Sequence, residues 1–233
     1  MSMSNAALSS FEIGLNALSS MLDKAEAYAA AKKIDAAILL NARLFPDMFP
    51  FTRQVQIACD AAKNGGARLA GIEPPKHEDT EQTMAELKAR IAKTIAFVKT
   101  LDRAKIDSSA EREVIFPMGR ENKAKMRAVD YFNHFVLPNF YFHISTAYGI
   151  LRHSGVELGK RDYLAGIPMT MVGDSAGRSV VSPPDGQTSR RARQHSPART
   201  AGNVTREPEN TYGCAPRPYA AGASSRTRRA DLR

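Results

Sequence analysis

Apolar residues recur at helical spacing through residues 1–168. Near the N-terminus they lie three and four positions apart, which puts them on one face of a helix; these residues are Leu8, Phe11, Leu15, Leu18, Leu22, Ala25 and Ala29. The pattern fades at Lys32 and Lys33, where positive charges suit a helix C-terminus. The sequence therefore predicts a first long helix that ends at these lysines.

A short helical stretch and a second long helix follow. The stretch runs from Asp35 to Leu44 and ends before the Phe45–Pro46 step, because a residue that precedes proline is disfavoured in the helical region. The second long helix begins near Asp47 or Pro50, and its apolar face consists of Phe51, Val55, Ala58 and Ala62. The pair Gly65–Gly66 is expected to weaken this helix and allow a bend.

Two further long helices complete the apolar pattern. Asp79 and Gln82 have the residue types of a capping box before a third helix, whose apolar positions are Met84, Leu87, Ile91, Ile95 and Val98. The charged stretch 102–127 is irregular, and its EREVIFPMG segment predicts a short strand or hairpin arm. A fourth helix is predicted from about Ala128 to His153, with a glycine C-cap at Ser154–Gly155.

The fold class predicted from this pattern is all-α. Each of the four long helices has one apolar face that must be buried, and the simplest arrangement that buries all four is an antiparallel four-helix bundle. Residues 1–167 are expected to form this single domain.

The composition changes sharply after about Pro168. Residues 169–233 contain no Ile, Phe or Lys and only one Leu, so they cannot bury enough apolar area to offset the entropy of ordering. Residues 168–233 are therefore predicted to be a disordered tail rich in Arg, Pro, Ser and Gly. A frameshifted reading of a GC-rich gene would give the same composition, and the position of the break favours that explanation.

The positive charge lies mostly in this tail. Residues 1–168 hold 22 Lys and Arg against 19 Asp and Glu, whereas residues 169–233 hold 11 Arg against 5 acidic residues, within a net charge of +9. The high isoelectric point is thus poor evidence that the folded domain binds nucleic acid. Nucleic-acid binding through the tail, at RRAR (190–193) and RTRR (226–229), is the weakest of the functional classes considered.

Cysteine content and hydropathy indicate the compartment. Cys59 and Cys214 lie on opposite sides of the compositional break, which argues against a disulfide framework, and Cys59 is expected to be a small buried residue. No secretory signal and no apolar run long enough to span a membrane are visible. A soluble cytoplasmic protein without membrane contact is expected.

The fourth helix carries the candidate site. His143 and Asn139 lie one turn apart on nearly the same face, and Pro138 between two apolar turns is expected to kink the helix. The pair is either a satisfied buried hydrogen-bonded pair or part of a ligand site. His134 is expected to be a partly buried structural residue at the kink, and His77 is expected to be solvated in its loop.

Two polar residues of the second long helix join this candidate pocket. Arg53 and Gln54 interrupt an otherwise apolar helix, and either could line the pocket or lie at the surface. The predicted pocket residues are Asn139, His143, Arg53, Gln54 and His134.

Several separated motifs resemble one known family. The motifs, in the same order as in that family, are LLNARLFPDMFPFTRQVQIACD (39–60), RLAGIE (68–73) and LPNFYFHISTAYGILRHSGVELGKRDYL (137–164). They resemble the DinB/YfiT-like four-helix bundles, and more closely a DinB-like branch known only as a domain of unknown function. The resemblance covers about residues 1–166 and implies a four-helix bundle that is often a homodimer.

The same resemblance implies a metal site that this chain matches only in part. Metal-dependent thiol transferases of the superfamily use one His on the second helix and a His-x-x-x-His pair on the last. His143 falls on the second His of that pair, Asn139 replaces the first, and residues 1–76 contain no His. No cofactor is therefore expected, and a divalent metal would need a third ligand such as Asp47, Gln54 or Asp60.

Two functional classes follow from these features. The first is a non-catalytic or small-ligand-binding homodimer. The alternative is a metal-dependent transferase or hydrolase, similar to the thiol transferases, with an incomplete histidine triad.

Overall fold

The computed structural model describes residues 2–119 and 121–169, so nearly all of the predicted tail lies outside the described residues. The helices and strands, in chain order, are α1 (Met3–Lys32), α2 (Ala36–Asn41), α3 (Phe51–Ala70), α4 (Met84–Lys99), α5 (Arg103–Asp107), β1 (Glu113–Met118), β2 (Asn122–Arg127), α6 (Ala128–Asp130), a π-helical segment (Tyr131–Val136), α7 (Leu137–His153) and α8 (Lys160–Tyr163). The predicted all-α fold is confirmed, with one small hairpin added.

Both ends of α1 are capped, and its predicted apolar face is buried. The side chain of Ser2 accepts a hydrogen bond from the backbone N–H of Asn5, and Lys33 adopts a left-handed conformation with φ of 56° at the C-terminus. All seven apolar residues predicted for this face are buried. Phe11 is fully enclosed and meets the rings of Phe132 and Phe140 edge-on.

The second long helix, α3, passes through Gly65 and Gly66 without interruption. Both glycines lie where neighbouring side chains approach the backbone closely. A Cβ on Gly65 would lie 2.5 Å from Cγ1 of Val136, and a Cβ on Gly66 would lie 2.6 Å from Cδ1 of Leu101. The glycines therefore allow close packing between elements, which sequence periodicity does not reveal.

The N-terminal cap of α4 lies four residues later than predicted. Thr83 accepts from the backbone N–H of Glu86, and the Glu86 carboxylate accepts from the backbone N–H of Thr83, which completes a capping box. The prediction of Asp79 and Gln82 was wrong because Asp79 forms ion pairs with Arg53 and Arg90 instead.

The charged stretch after α4 contains the expected hairpin. Strands β1 and β2 pair antiparallel from Glu113 opposite Arg127 to Met118 opposite Asn122. Val114 and Phe116 of β1 are buried, and the ring of Phe116 packs against Tyr131 and Phe135. One face of β1 thus contributes to the helical core.

The fourth predicted helix is divided by the π-helical segment. The backbone N–H of Leu137 bonds to the carbonyl of Phe132, five residues earlier, directly before Pro138. Pro138 has no N–H, so the α-helical bond to His134 is absent at this point. The wider π-helical turn lies where the sequence predicted a kink at Pro138.

The four long helices pack as the predicted bundle, but only two of the neighbouring pairs are antiparallel, whereas the sequence predicted an antiparallel arrangement throughout. Helix α3 packs on α7 and α4, and α1 packs on α4 and α7. Contacts between α1 and α4 (Asp23 to Lys88, Glu12 to Lys99) show that this pair is antiparallel. Gly65 lies beside Val136 and Gln54 beside His143, so α3 and α7 are antiparallel as well.

The remaining two neighbouring pairs run parallel. Phe11 meets Phe132, and Gly155 approaches Tyr28, so α1 runs parallel to the last long helix. Asp60 binds Arg90, and Gly66 approaches Leu101, so α3 runs parallel to α4. The parallel pair is possible because the connection 71–83 is long enough to return along α3.

Within the described residues, no helix has the length and apolar character needed to cross a membrane.

Candidate functional site

His143 and Gln54 form a hydrogen-bonded pair between α7 and α3. The ring Nδ1 of His143 lies 2.7 Å from Oε1 of Gln54, and both side chains are buried. The amide of Gln54 is oriented by a second bond, because its Nε2 donates to the carbonyl of Phe49 at 3.0 Å. Oε1 therefore accepts, and His143 carries its proton on Nδ1.

The His143 ring is electrically neutral in this position. Burial, and then the positive charge of Arg53, lower the pKa of His143 from 6.5 to about 4. A neutral imidazole that donates from Nδ1 needs only one acceptor, which Gln54 supplies. The pair thus accounts for Nδ1 of His143 and for both polar atoms of the Gln54 amide, and it leaves Nε2 of His143 as the remaining acceptor.

The other predicted pocket residues are distributed around this pair. Asn139 is half-buried on α7, one turn before His143, and Arg53 contacts Asp79 and Gln56 on a different side of α3 from Gln54. His134 is exposed, contrary to the expectation of a partly buried residue. The π-helical segment explains the difference, because it turns Tyr131, Phe132 and Val136 inward and leaves Asn133 and His134 outward.

Sequence reasoning missed a second polar centre, which we call the Arg90 cluster. It consists of Arg90, Asp60, Asp79, Glu81, Arg53 and Lys63. The side chain of Arg90 is 2% exposed, and its guanidinium lies 3.0 Å from Asp60, 3.0 Å from Asp79 and 2.9 Å from Glu81. It also donates to the carbonyl of Glu78 at 2.9 Å.

The Arg90 cluster holds the connection 71–83 against α3 and α4. Three acidic and three basic side chains meet there, so their formal charges balance. Gln56 adds a bond from Nε2 to Oε2 of Glu81 at 2.8 Å. Burial alone would raise the pKa of Glu81, but hydrogen bonds, chiefly from Arg90, lower it below its usual value. Two sequence signals were available: Arg90 on the apolar face of the third helix, and Arg53 within the otherwise apolar second long helix.

His77 lies against the same cluster and is not the solvated residue expected. Its side chain is half-buried, and both ring nitrogens are enclosed. Burial, and then the positive charge of Lys63, lower its pKa. The returning path of the connection 71–83 causes this, since it places His77 beside α3.

A cleft of about 440 Å³ lies between α1, the π-helical segment and α7. The segment after α8 adds a wall to this cleft through Leu164 and Ile167. Its described lining is Asn5, Ala6, Ser9, Ser10, Ile13, Gly14, Phe132, Asn133, Leu137, Tyr141, Ile144, Tyr163, Leu164 and Ile167. None of the five predicted pocket residues is among them. We call this the α1–α7 cleft.

A second cleft, of about 430 Å³, lies beside the Arg90 cluster. Its lining includes one predicted pocket residue, Arg53, together with Gln56, Asp79 and Glu81. These polar groups bond to one another, as described above.

Comparison with known proteins identifies the family. The family described as "Domain of unknown function (DUF1993)" matches residues 3–164. The chain belongs to the DUF1993 family.

A solved structure supports a DinB-like fold for this DUF1993 chain. The present chain is similar to the crystal structure of a DinB family member protein from Shewanella denitrificans, at 42% sequence identity and a TM-score of 0.67. The match covers 73% of this chain and 96% of that one. The predicted resemblance to a DinB-like branch of unknown function is confirmed. Comparison with curated proteins gave no match.

The residues around His143 do not fit the metal site that the DinB-like fold implies. Nδ1 of His143 bonds to Gln54, so only Nε2 could bind a metal, and Arg53 places a positive charge nearby. In the described part of this DUF1993 chain, no three His, Cys, Asp or Glu side chains come together as a metal ligand set. Of the third ligands considered, Asp47 is exposed in the connection before α3, Asp60 pairs with Arg90 and Lys63, and Gln54 bonds to Nδ1 of His143.

Proposed function

We propose that this DinB-like protein is non-catalytic and binds a small molecule in the α1–α7 cleft. The observation that carries the proposal is the cleft itself, whose volume of about 440 Å³ lies within the range of small-molecule sites. Its walls are mainly apolar, and a few amides and hydroxyls lie among them. This composition is typical of binding sites in helical proteins.

The protonation states of the candidate reactive groups support a non-catalytic role. Burial raises the pKa of the Cys59 thiol to about 12, so this thiol stays protonated and is a poor nucleophile. His143 is neutral, and its Nδ1–H donates a hydrogen bond to Oε1 of Gln54. Neither group lines the α1–α7 cleft.

Binding of a neutral fluorescent dye tests the proposal. Titration of the full-length protein with N-phenyl-1-naphthylamine should give saturable binding. The substitution Ser10→Phe should abolish it, because Ser10 lines the cleft and a phenyl ring would fill the space. Ser20→Phe is the matched control, since Ser20 lies on the same helix, is exposed and is outside the cleft. Equal binding by the wild type and Ser10→Phe would refute the site.

The protein forms a homodimer in this proposal, and the two copies meet through an exposed apolar surface. The connection around α2 presents several large side chains to solvent, which we call the 34–49 apolar surface: Ile34, Ile38, Leu44, Phe45 and Phe49. Leu44 approaches Gly149 of α7, and Phe142 of the same helix is 58% exposed. Apolar groups concentrated in this way mark interaction sites in soluble proteins.

A further inference from the structure

The lining of the α1–α7 cleft also selects the chemical class of its ligand. We propose that the cleft binds an electrically neutral, largely apolar molecule that carries one uncharged hydrogen-bonding group. This inference rests on the proposed function, because it assumes that the cleft is a binding site.

The apolar part of the ligand would contact both long walls of the cleft. Ile13 extends from α1, and Leu137 and Ile144 extend from α7 on the opposite side. Leu164 and Ile167 complete the enclosure from the segment after α8. Contact with these side chains removes apolar surface from water, which favours an apolar ligand body.

The polar groups of the cleft are uncharged. Asn5, Ser9 and Ser10 lie along α1, Asn133 belongs to the π-helical segment, and Tyr141 lies on α7. Amides and hydroxyls both donate and accept hydrogen bonds, so they suit an alcohol, amide or carbonyl group. They supply no formal charge to balance an ion.

Three acidic groups, each next to a lining residue in sequence or bonded to the neighbour of one, are engaged elsewhere. Glu12 pairs with Lys99, and Asp162 pairs with Lys24. Asp107 accepts two hydrogen bonds from Ser4, from its backbone N–H at 2.7 Å and its hydroxyl at 2.9 Å. The described lining itself contains no charged side chain, so an ionic ligand would lose hydration in the cleft without gaining a counter-charge from it.

The π-helical segment gives the cleft its polar mouth. It places Phe132 inward, 3% exposed, and leaves the adjacent Asn133 exposed at the rim. π-Helical turns are rare and are often found at functional sites. This turn therefore brings one aromatic wall and one polar rim group to the same cleft.

Three naphthalene compounds of similar size and shape test the class of ligand. Neutral 2-naphthol, anionic 2-naphthoate and cationic 2-naphthylmethylammonium would each compete at pH 7 with N-phenyl-1-naphthylamine on the full-length protein. The neutral compound should displace the dye at a concentration at least about tenfold lower than either ion, because each ion loses hydration without a counter-charge.

The outcomes separate the two proposals. Displacement by an ion at an equal or lower concentration than 2-naphthol would overturn the neutral class and leave ligand binding intact. Failure of the dye to bind at all would overturn the proposed function together with this inference.

Charge substitutions at the rim provide the control. Asn133→Lys should improve binding of 2-naphthoate about two- to fivefold, and Asn133→Asp should do the same for 2-naphthylmethylammonium, as expected for an exposed charge pair. Asn133 is exposed, so both variants should fold. Unchanged binding of both ions in both variants would show that the compounds bind outside this cleft, and would overturn the assignment.

Discussion

At the scale of single residues, His143 shows how burial determines chemistry. The same imidazole would be a metal ligand in one set of neighbours and is a neutral hydrogen-bond donor in this one. Among the described residues no further ligands gather around the ring, and Gln54, fixed by the carbonyl of Phe49, offers its oxygen to the Nδ1–H of His143. The neighbours of the ring thus set both its tautomer and its role.

The lowered pKa of His143 predicts acid sensitivity. The folded-state pKa of about 4 lies below the usual 6.5, so the unfolded chain binds a proton first as the pH falls. Stability from this group is complete above pH 6.5 and is lost between pH 6.5 and pH 4, by up to about 3 kcal/mol. Urea unfolding across this range measures the loss.

The control for this titration is His143→Asn, which keeps a polar side chain but cannot titrate. Its stability should change less between pH 6.5 and pH 4 than that of the wild type. His77 also has a lowered pKa and contributes in the same direction, but it is present in both proteins and cancels in the comparison. Identical pH dependence of the two proteins would contradict the shift assigned to His143.

The Arg90 cluster predicts a large loss of stability when one member is removed. Arg90→Ala would leave Asp60, Asp79 and Glu81 without their shared partner in a site where the arginine side chain is 2% exposed. The expected loss is about 3–5 kcal/mol in the free energy of unfolding.

The matched control is Arg127→Ala, where the arginine pairs with Glu111 and Asp130 but is 54% exposed. An exposed pair of this kind contributes about 1 kcal/mol or less. Chemical denaturation of both variants gives the comparison, and similar losses would mean that the Arg90 cluster does not stabilise the fold.

At the scale of helices, the contact between α3 and the π-helical segment depends on a glycine. Sequence reasoning treats Gly65 as a weak point of a helix, because glycine has high backbone entropy. The structure gives it a packing role, since Cγ1 of Val136 occupies the place of a Cβ. The branched side chain of Val136 has little freedom to move away.

Gly65→Ala should therefore destabilise the protein although alanine favours helices. Overpacking against Val136 should exceed the gain in helix propensity and give a net loss of about 1–2 kcal/mol. In a Val136→Ala background the same substitution should be neutral or stabilising, because the two residues are in contact. Thermal or urea unfolding of the four proteins checks this.

Gly149→Ala is the matched control for the helix-propensity gain. A Cβ at Gly149 would lie 3.7 Å from Cδ1 of Leu44, which is ordinary contact. This variant should gain about 0.5–1 kcal/mol. If both glycine variants gain stability, a Cβ at Gly65 does not overpack against Val136 and the packing role assigned to Gly65 is wrong.

At the scale of the whole molecule, the long connection 71–83 determines how the helices are arranged. It returns along α3, so that α3 and α4 run parallel, and the Arg90 cluster fastens it there. The opposite parallel pair, α1 and α7, then forms the walls of the α1–α7 cleft. The binding site proposed here is thus a consequence of the order in which helices are connected.

The proposed homodimer should dissociate when a charged residue is placed in its interface. Sedimentation equilibrium of the full-length protein should give twice the chain mass of 25.5 kDa. Ile38→Glu should shift it to the monomer, because a carboxylate within the 34–49 apolar surface would be desolvated on association. Ile115→Glu should leave the dimer intact, since Ile115 has the same 61% exposure but lies on β1. A monomeric wild type, or dissociation by Ile115→Glu alone, would refute this interface.

The sequence alone determined the local features of the fold. The long helices, the hairpin near Val114 and the glycine C-cap at Gly155 follow from apolar periodicity and from turn residues, which act over a few neighbouring positions. The burial of Cys59 and His143 also followed from their positions on apolar faces. The DinB-like motifs placed the chain in its family before any contact was known.

Only the tertiary structure decided which faces meet and what each polar group binds. The partners of His143 and Arg90 lie far away in the sequence, at Gln54 and Asp60, and periodicity does not encode the distance between two helices. The exposure of His134 and the enclosure of His77 depended on a π-helical turn and a returning connection. The α1–α7 cleft arises where side chains from separate segments leave a space, so it exists only once packing is complete.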